Sequence, residues 1–265
     1  MNEQLAALVR RHDPDRFLTA LFAPPDQRDD LLALYAFNHE LARAREVVSE
    51  PPLALIRLQW WREVVEGARR HHETAAPLGD ALDRGALLPA DLLPVIEARE
   101  MEAEPAIATL EDWRRYVLAG AGGLAVAAAR LLGHAEPETL RPLGAAYGVA
   151  GVLRSLHALA AQQRCLLPVD LLEEQGFSPE AAMATPDAEP VRRVRQRLAA
   201  EGRALLAAGP RWVRGRATAA ALPAVLARRD LARWQLPAGP RRLSDRLAVA
   251  AAGFTGRIWG PLAAP

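Results

Sequence analysis

The sequence has no lysine, a single cysteine and almost no net charge, and each of these absences narrows the possible functions. All 33 basic residues are arginine, and they nearly balance 32 aspartate and glutamate residues, which leaves a net charge of +1. A chain this close to neutral has no overall attraction to nucleic acid. Because Cys165 is alone, an intrachain disulfide is excluded, and a reducing compartment fits. The abundance of residues with GC-rich codons indicates a bacterial source.

Targeting and membrane-spanning patterns are also missing. Residues 1–16 lack the charged and then apolar layout of a secretory signal, and no transit peptide is recognisable. The longest apolar run, Val117 to Ala129, is too short to cross a bilayer. We therefore expect a cytoplasmic protein that touches the inner face of the membrane only peripherally.

Strand patterns are nearly absent, whereas helical periodicity runs along the whole chain. β-Branched residues are scattered, and no Asn-Gly or Asp-Gly hairpin turn occurs. We predict an all-α fold that forms one domain over residues 1–265. The predicted helices cover residues 26–48, 53–67, 90–102, 110–132, 137–160, 190–207, 216–230 and 243–258, with loops at 85–89, 183–190 and 236–240.

Several common kinds of functional site are not supported by the residues present. The glycines at positions 120–123 lie in an apolar helical stretch without phosphate-loop spacing, so close helix packing explains them better. His71-His72 has no second pair of metal ligands nearby, and Cys165 lacks the sequence context of a nucleophile. Trp60-Trp61 fits core packing better than the wall of a cavity, since apolar neighbours recur around it at helical spacing.

Two segments resemble the squalene/phytoene synthase family over roughly residues 14–180. The first contains Phe17, Pro24, Arg28 and Leu34-Tyr35-Ala36-Phe37, and the second Leu143-Gly144, Val152-Leu153-Arg154 and Arg164-Cys165-Leu166-Leu167-Pro168. The resemblance implies the isoprenoid (terpenoid) synthase architecture, a helical bundle around a central cavity. It also implies paired helical aspartates that bind Mg²⁺, which in turn holds the substrate diphosphate.

Those aspartates are almost entirely replaced in this chain. The first family cluster, Asp-Asp-x-x-Asp, falls on Ala42, Arg43 and Glu46, and the second, Asp-x-x-x-Asp, falls on Ser155 and Leu159. A guanidinium in place of a carboxylate removes a ligand and repels the cation. We therefore expect no catalytic residues and no metal. Magnesium is expected only if other carboxylates, such as Glu40, Glu46 or Glu102, rebuild a site.

Further segments resemble the aspartate-poor branch of the family known from mitochondrial complex I (NADH:ubiquinone oxidoreductase) assembly factors. They are Ala36-Phe37-Asn38-x-Glu40-Leu41-Ala42, Val48-Ser49-Glu50-Pro51, Arg57-x-Gln59-x-Trp61 and Leu167-Pro168-x-Asp170. This resemblance implies a non-catalytic accessory or assembly factor whose partners are subunits of a membrane respiratory complex. The alternative is a prenyl transferase that condenses isoprenoid diphosphates.

A polar stripe on the predicted helix 26–48 suggests a ligand site in the relic cavity. His39, Arg43, Glu46 and Glu50 recur at helical spacing. Arginine holds phosphate or carboxylate groups without a metal, so an isoprenoid or lipid ligand is the expectation. The alternative is an Arg43–Glu46 pair that only neutralises the relic pocket or lies on the surface. The full candidate set is Tyr35, His39, Arg43, Glu46, Arg154 and Arg164.

Positive charge is concentrated towards the C-terminus. Residues 188–265 contain 15 arginines and 4 acidic residues, which favours contact with an anionic membrane surface or an acidic partner. Solvated helix faces are the alternative. At the end of this part, apolar residues are interleaved with Arg246 and Arg257, as in a helix at a membrane interface or in an amphipathic closing helix. They are Leu247, Val249, Phe254, Ile258 and Trp259.

Overall fold

The structure, a computed structural model, describes residues 2–46, 51–104, 106–236 and 238–260, and all regular elements in these ranges are helical. The α-helices are α1 (Glu3–His12), α2 (Pro14–Ala20), α3 (Arg28–Glu46), α4 (Pro51–Val65), α5 (Ala75–Asp83), α6 (Pro89–Glu100), α7 (Leu110–Val117), α8 (Gly123–Leu131), α9 (Arg141–Ala161), α10 (Val169–Glu173), α11 (Pro179–Ala184), α12 (Glu189–Ala208), α13 (Thr218–Ala221), α14 (Pro223–Ala232) and α15 (Leu243–Thr255). The predicted all-α class is confirmed.

Every predicted helix has a counterpart, but five shorter helices, α1, α2, α5, α10 and α11, were not predicted. These helices have at most ten residues, too few for a clear apolar period. Local capping starts two of them: the side chain of Asn2 accepts from the first amides of α1, and that of Asp13 accepts from Arg16 in α2. The predicted helix 26–48 begins later than expected, at Arg28, and residues 47–50 lie outside the described ranges.

The predicted helix 110–132 is interrupted by a π-helical turn, Leu118–Gly122, between α7 and α8. This turn packs against α6 and α9. A methyl group on Gly144 would overlap the carbonyl oxygen of Ala121, and one on Gly120 would lie 3.3 Å from the Cβ of Ala98. Close helix packing therefore explains the glycines here, as predicted.

Helix α9 is the central helix of the bundle, in contact with α8, α12 and α14. Residues 137–161 are long and apolar enough to span a membrane by length and composition, but 61% of the apolar window is buried inside the bundle. Core helices of folded domains have this property too. Trp61 is buried and Trp60 half-buried against the same core, as the core-packing interpretation expected.

Ion pairs connect the N-terminal helices to the C-terminal part of the chain. Arg241, just before α15, donates to Asp15 in α2 (2.6 Å) and to Asp230 in α14 (2.6 and 2.8 Å). Arg154 of α9 also contacts Asp230 at 3.3 Å. Because Asp230 is almost fully buried, its charge depends on these partners.

We predict that Arg241→Met lowers the free energy of unfolding by about 3 kcal/mol, since it leaves buried carboxylates short of a cationic partner. Urea unfolding monitored by circular dichroism measures this change. Arg193→Met, which removes a pair between exposed side chains on α12, is the matched control and should change stability by less than about 0.5 kcal/mol. Equal effects of the two substitutions would contradict the prediction.

Candidate functional site

A cavity of about 290 Å³ lies between α3, the α7–π segment, α9 and the turn that follows α9. Ala42 and Glu46 line it from α3, while Ser155 and Leu159 line it from α9. Residues four apart lie on the same side of a helix, so each pair faces the same space. Four of the five positions that match the family's aspartates therefore line one cavity. Among these four side chains, Glu46 is the single carboxylate.

Small residues keep this cavity open. Gly151 on α9 contributes no side chain to its wall. Gly148 and Gly120 also line it, but a Cβ atom on these two would meet Ala121 and Ala98, so helix packing explains them. A Cβ atom built on Gly151 meets no atom within 4 Å, so a larger residue there would extend into the cavity. The space is thus a consequence of residue choice on the packed helices.

The buried carboxylate of Glu102 is the centre of the polar wall. It accepts from Arg99 (Nη1 to Oε1, 2.5 Å), from Arg164 (Nη2 to Oε2, 2.5 Å) and from the Tyr116 hydroxyl (2.7 Å). Arg164 reaches this point because the chain reverses directly after α9 at Gln163, whose φ of 56° is in the left-handed region. Three separate segments therefore meet at one carboxylate.

The electrostatics of this cluster favour the ionised carboxylate. Burial disfavours the charge on Glu102, but the positive charges of Arg99 and Arg164 outweigh it, and the pKa of Glu102 lies below its usual value. Burial, reinforced by the adjacent Glu102 charge, raises the pKa of Tyr116. Tyr116 therefore stays protonated at neutral pH as a donor.

A second polar cluster lies where α2 meets α3 and α9. The guanidinium of Arg16 lines the cavity, pairs with Asp13 at 2.8 Å, and lies over the rings of Tyr35 (5.7 Å) and Tyr147 (4.8 Å). Burial raises the pKa of Tyr35 to about 12. Tyr147 donates to Asp15 at 3.2 Å, which links this cluster to the Arg241 ion pairs.

The structure brings only some of the predicted site residues to the cavity. Glu46 and Arg164 line it, and Tyr35 lines a small adjoining cavity with Arg16. Arg154 does not lie opposite the stripe, because it is about 100° around α9 from Ser155 and points towards Asp230.

The rest of the predicted polar stripe also lies away from the cavity lining. Arg43 pairs with Glu40 at 3.2 Å rather than with Glu46. His39 stacks on His12 with ring centroids 4.4 Å apart. Burial, together with the neighbouring His12, lowers the pKa of His39. Glu50 lies outside the described residues.

Several lining residues were not in the candidate set: Arg16, Arg99, Tyr116 and Tyr147. Glu102 was considered only as a replacement metal ligand. The spacing of Arg99 and Glu102, three apart in the chain, was a signal for their pairing. No local signal connects Arg164 or Tyr116 to Glu102, since they are distant in sequence.

The side chains present do not fit a cluster of Mg²⁺ ions. Glu102 already accepts from two arginines and a tyrosine, which leaves Glu46 as the remaining carboxylate on the lining. Within the described ranges, no group of three or more His, Cys, Asp or Glu side chains is arranged to hold a metal ion. Hard divalent cations need several oxygen ligands, and the described side chains on this lining do not supply them.

Comparison with known proteins relates the chain to two kinds of protein. A family model described as squalene/phytoene synthase matches residues 9–245. The chain is 28% identical over 182 residues to NADH dehydrogenase (ubiquinone) complex I, assembly factor 6 from Homo sapiens, a match that covers 65% of the chain and 54% of that protein. The corresponding homolog from Drosophila melanogaster is 25% identical over 187 residues, covering 66% and 56%. The chain spans about half the length of these curated relatives.

Solved structures share the fold. A dehydrosqualene synthase in complex with ligand matches with a TM-score of 0.77 and 14% identity, covering 94% of both chains. Squalene synthase HpnC from Alicyclobacillus acidocaldarius matches with a TM-score of 0.62 and 21% identity, covering 96% of this chain and 94% of that one. The predicted isoprenoid synthase-like bundle around a central cavity is thereby confirmed.

We predict that Glu102→Gln destabilises the protein by about 3 kcal/mol at neutral pH, because Arg99 and Arg164 lose their shared anion. The folded-state pKa of Glu102 is depressed, so its stabilising contribution is present above the unfolded carboxyl pKa and is lost as pH falls through the folded value. The stability gap between wild type and variant should therefore shrink below about pH 4.5. Urea unfolding at several pH values tests this.

The matched control is Glu46→Gln. Glu46 lines the same cavity but is exposed, so its substitution should change stability by less than about 0.5 kcal/mol. A stability gap for Glu102→Gln that stays constant from neutral to acidic pH would contradict the assignment of a buried, ionised carboxylate.

Proposed function

The chain belongs to the squalene/phytoene synthase family, and we propose that it is a non-catalytic accessory factor in the assembly of a membrane respiratory complex. The observation that carries this proposal is the cavity itself. Its wall has Ala42, Ser155 and Leu159 where the family has metal-binding aspartates, and Glu102 is engaged by two guanidinium groups. The fold has kept the cavity without the ligands that metal-dependent prenyl transfer requires.

The choice of partner is supported by the names of the relatives. Mammalian and Drosophila proteins similar to this chain are named complex I assembly factors. The proposed partners are accordingly membrane protein subunits of NADH:ubiquinone oxidoreductase, reached from the cytoplasmic face of the membrane.

We also propose that the cavity holds an isoprenoid or lipid ligand without a metal. Arg16, Arg99 and Arg164 on its lining outnumber Glu46 and Glu102, and guanidinium groups bind phosphate and carboxylate directly. The remaining wall is largely apolar, which suits a hydrocarbon chain.

A second candidate function is prenyl transfer between isoprenoid diphosphates, favoured by the match to a dehydrosqualene synthase along nearly the whole chain. It would require Mg²⁺ and carboxylates beyond the family positions. Glu40 does not supply one, because it is buried in contact with Arg43 and is not part of the cavity lining.

We predict that the purified protein, given farnesyl or geranylgeranyl diphosphate with Mg²⁺ or Mn²⁺, releases no pyrophosphate and forms no lipid product. The reason is the missing set of oxygen ligands. A variant with Ala42→Asp, Glu46→Asp, Ser155→Asp and Leu159→Asp is the matched control, because it adds carboxylates at three cavity positions and places aspartate at all four. It should bind Mn²⁺ more tightly than wild type in calorimetry.

Metal-dependent turnover by the wild-type protein would overturn the non-catalytic assignment and establish the second candidate. Binding of the diphosphate without metal and without turnover would support the proposed ligand. It should be weakened by Arg164→Gln but not by Arg43→Gln, since Arg43 does not line the cavity.

For the cellular role, we predict that deletion of the gene lowers NADH:ubiquinone oxidoreductase activity in membranes of its host, while succinate dehydrogenase activity stays unchanged as the internal control. Re-expression of the wild-type chain should restore the activity. If the deletion strain assembles the complex normally, the assembly role is wrong.

A further inference from the structure

The C-terminal helix α15 turns large apolar side chains away from the protein. Phe254 is 85% exposed and Leu243 72%, the two highest values among the large apolar side chains of the described residues, and Leu247 is 60% exposed. At 100° per residue these three lie within a sector of about 40°, whereas Val249 and Ala252 on the opposite side are buried. Core packing therefore explains one side of α15. On the outward side, Phe254 makes an edge contact with the Phe22 ring (centroids 5.7 Å apart) and still remains 85% exposed.

The charges around this helix are almost all positive. Residues 211–260 contain ten arginines and two acidic residues, Asp230 and Asp245. Both acids are buried and paired with arginine, so the exposed charge of this part of the chain is cationic. The half-exposed Trp212 lies next to α15 through its bridge to Arg257, with Arg214 and Arg257 placed 5.2 and 5.7 Å from its ring.

A cleft of about 230 Å³ on α14 is lined by Arg228, Arg229, Ala232 and Arg233, and we call it the arginine notch. Arg229 and Arg233 donate to Asp245. The Nε atom of Arg228 is buried and has no acceptor among the described residues. An anion in the notch would supply that acceptor.

Repulsion among the arginines favours an anion in the arginine notch, and one hydrogen bond places the notch beside α15. Burial, followed by repulsion from Arg229 and Arg257, lowers the pKa of Arg228, so an anion would relieve this repulsion. Arg229 also donates to Ser244 at 3.0 Å. Ser244 lies about 60° from the nearest apolar position, Leu247, around α15, which puts the notch on the flank of the exposed apolar side.

We propose that the outward side of α15, Trp212 and the arginine notch together form a docking surface for an anionic lipid membrane. Leu243, Leu247 and Phe254 enter the interfacial layer, Trp212 lies at headgroup depth, and Arg228 binds a lipid phosphate. Exposed apolar side chains on one side of a helix, flanked by arginine and tryptophan, are the combination that interfacial helices use. An acidic protein surface would match the charges but would leave the apolar sector unexplained.

Vesicle flotation with the full chain tests this proposal. Vesicles of phosphatidylcholine containing phosphatidylglycerol should carry the protein to the top of the gradient, and vesicles of phosphatidylcholine alone should carry much less. Binding should fall with added salt, because the phosphate contacts are screened. Inorganic phosphate should compete only weakly at matched ionic strength, since it lacks the hydrocarbon contact.

Matched variants locate the surface. Leu247→Ser with Phe254→Ser should lower the partition constant at least ten-fold, as expected when two inserted apolar side chains are removed. Arg228→Gln should lower it about five-fold. The controls are Ile56→Ser, another exposed apolar residue on α4, and Arg11→Gln on α1, and both should bind like wild type.

Three outcomes would overturn the proposal. The first is no flotation with either kind of vesicle, and the second is equal binding by wild type and both sets of variants. The third is a wild-type dimer in light scattering that the α15 variant no longer forms, while its lipid binding is unchanged. That result would assign the surface to a second copy of the chain. Because the vesicles contain no protein, failure here leaves the assembly role untouched. Conversely, if gene deletion shows that the protein has no assembly role, binding of the protein to anionic vesicles would still support the docking surface.

Discussion

A charged group buried in a helical bundle has to be neutralised by an opposite charge from the protein. The geometry of the cavity wall depends on how the buried carboxylate of Glu102 is neutralised. Glu102 lies in the segment after α6. Its carboxylate accepts from Arg99 in α6, from Arg164 in the turn after α9 and from Tyr116 in α7. An uncompensated buried carboxylate would cost several kcal/mol, so these segments are held to one geometry. The positive charge that faces this carboxylate comes from the guanidinium groups of Arg99 and Arg164.

The arginines on the cavity wall bear on what the cavity can bind. Metal ions in a prenyl transferase bind the diphosphate and stabilise it as it leaves. Guanidinium groups also bind anions, and Arg99 and Arg164 each contact Glu102 through a single nitrogen, Nη1 and Nη2 respectively. The ion pairs hold the cavity wall in one geometry, within a fold shared with squalene and dehydrosqualene synthases.

Over residues 211–260, the carboxylates are buried and the arginines are exposed or half-buried. Arg241 forms ion pairs with both Asp15 and Asp230 where the N-terminal helices meet the C-terminal part of the chain. Asp245 is buried in an ion pair with Arg229. Because the carboxylates of Asp230 and Asp245 are buried in these ion pairs, all exposed charged side chains of residues 211–260 are arginines. The apolar side chains of α15 lie within this cationic region, so one end of the protein differs in chemistry from the cavity wall.

The sequence by itself determined the helical class and the family, because helical periodicity and motif spacing are local properties of the chain. The spacing by four puts positions 42 and 46, and positions 155 and 159, each on one side of their own helix, and the family resemblance implied that both pairs face one cavity. Direction around a helix was harder to predict. Arg154 was expected in the cavity, but it lies one residue from Ser155 and points to Asp230.

Only the tertiary structure decided which distant residues neutralise one another. Glu102 and Arg164 are 62 residues apart, and Asp15 and Arg241 are 226 apart, so no local pattern connects them. The exposure of Leu243 and Phe254, against the burial of Val249 and Ile258, was likewise decided by packing. A run of apolar residues at helical spacing does not show which side the neighbouring helices will cover.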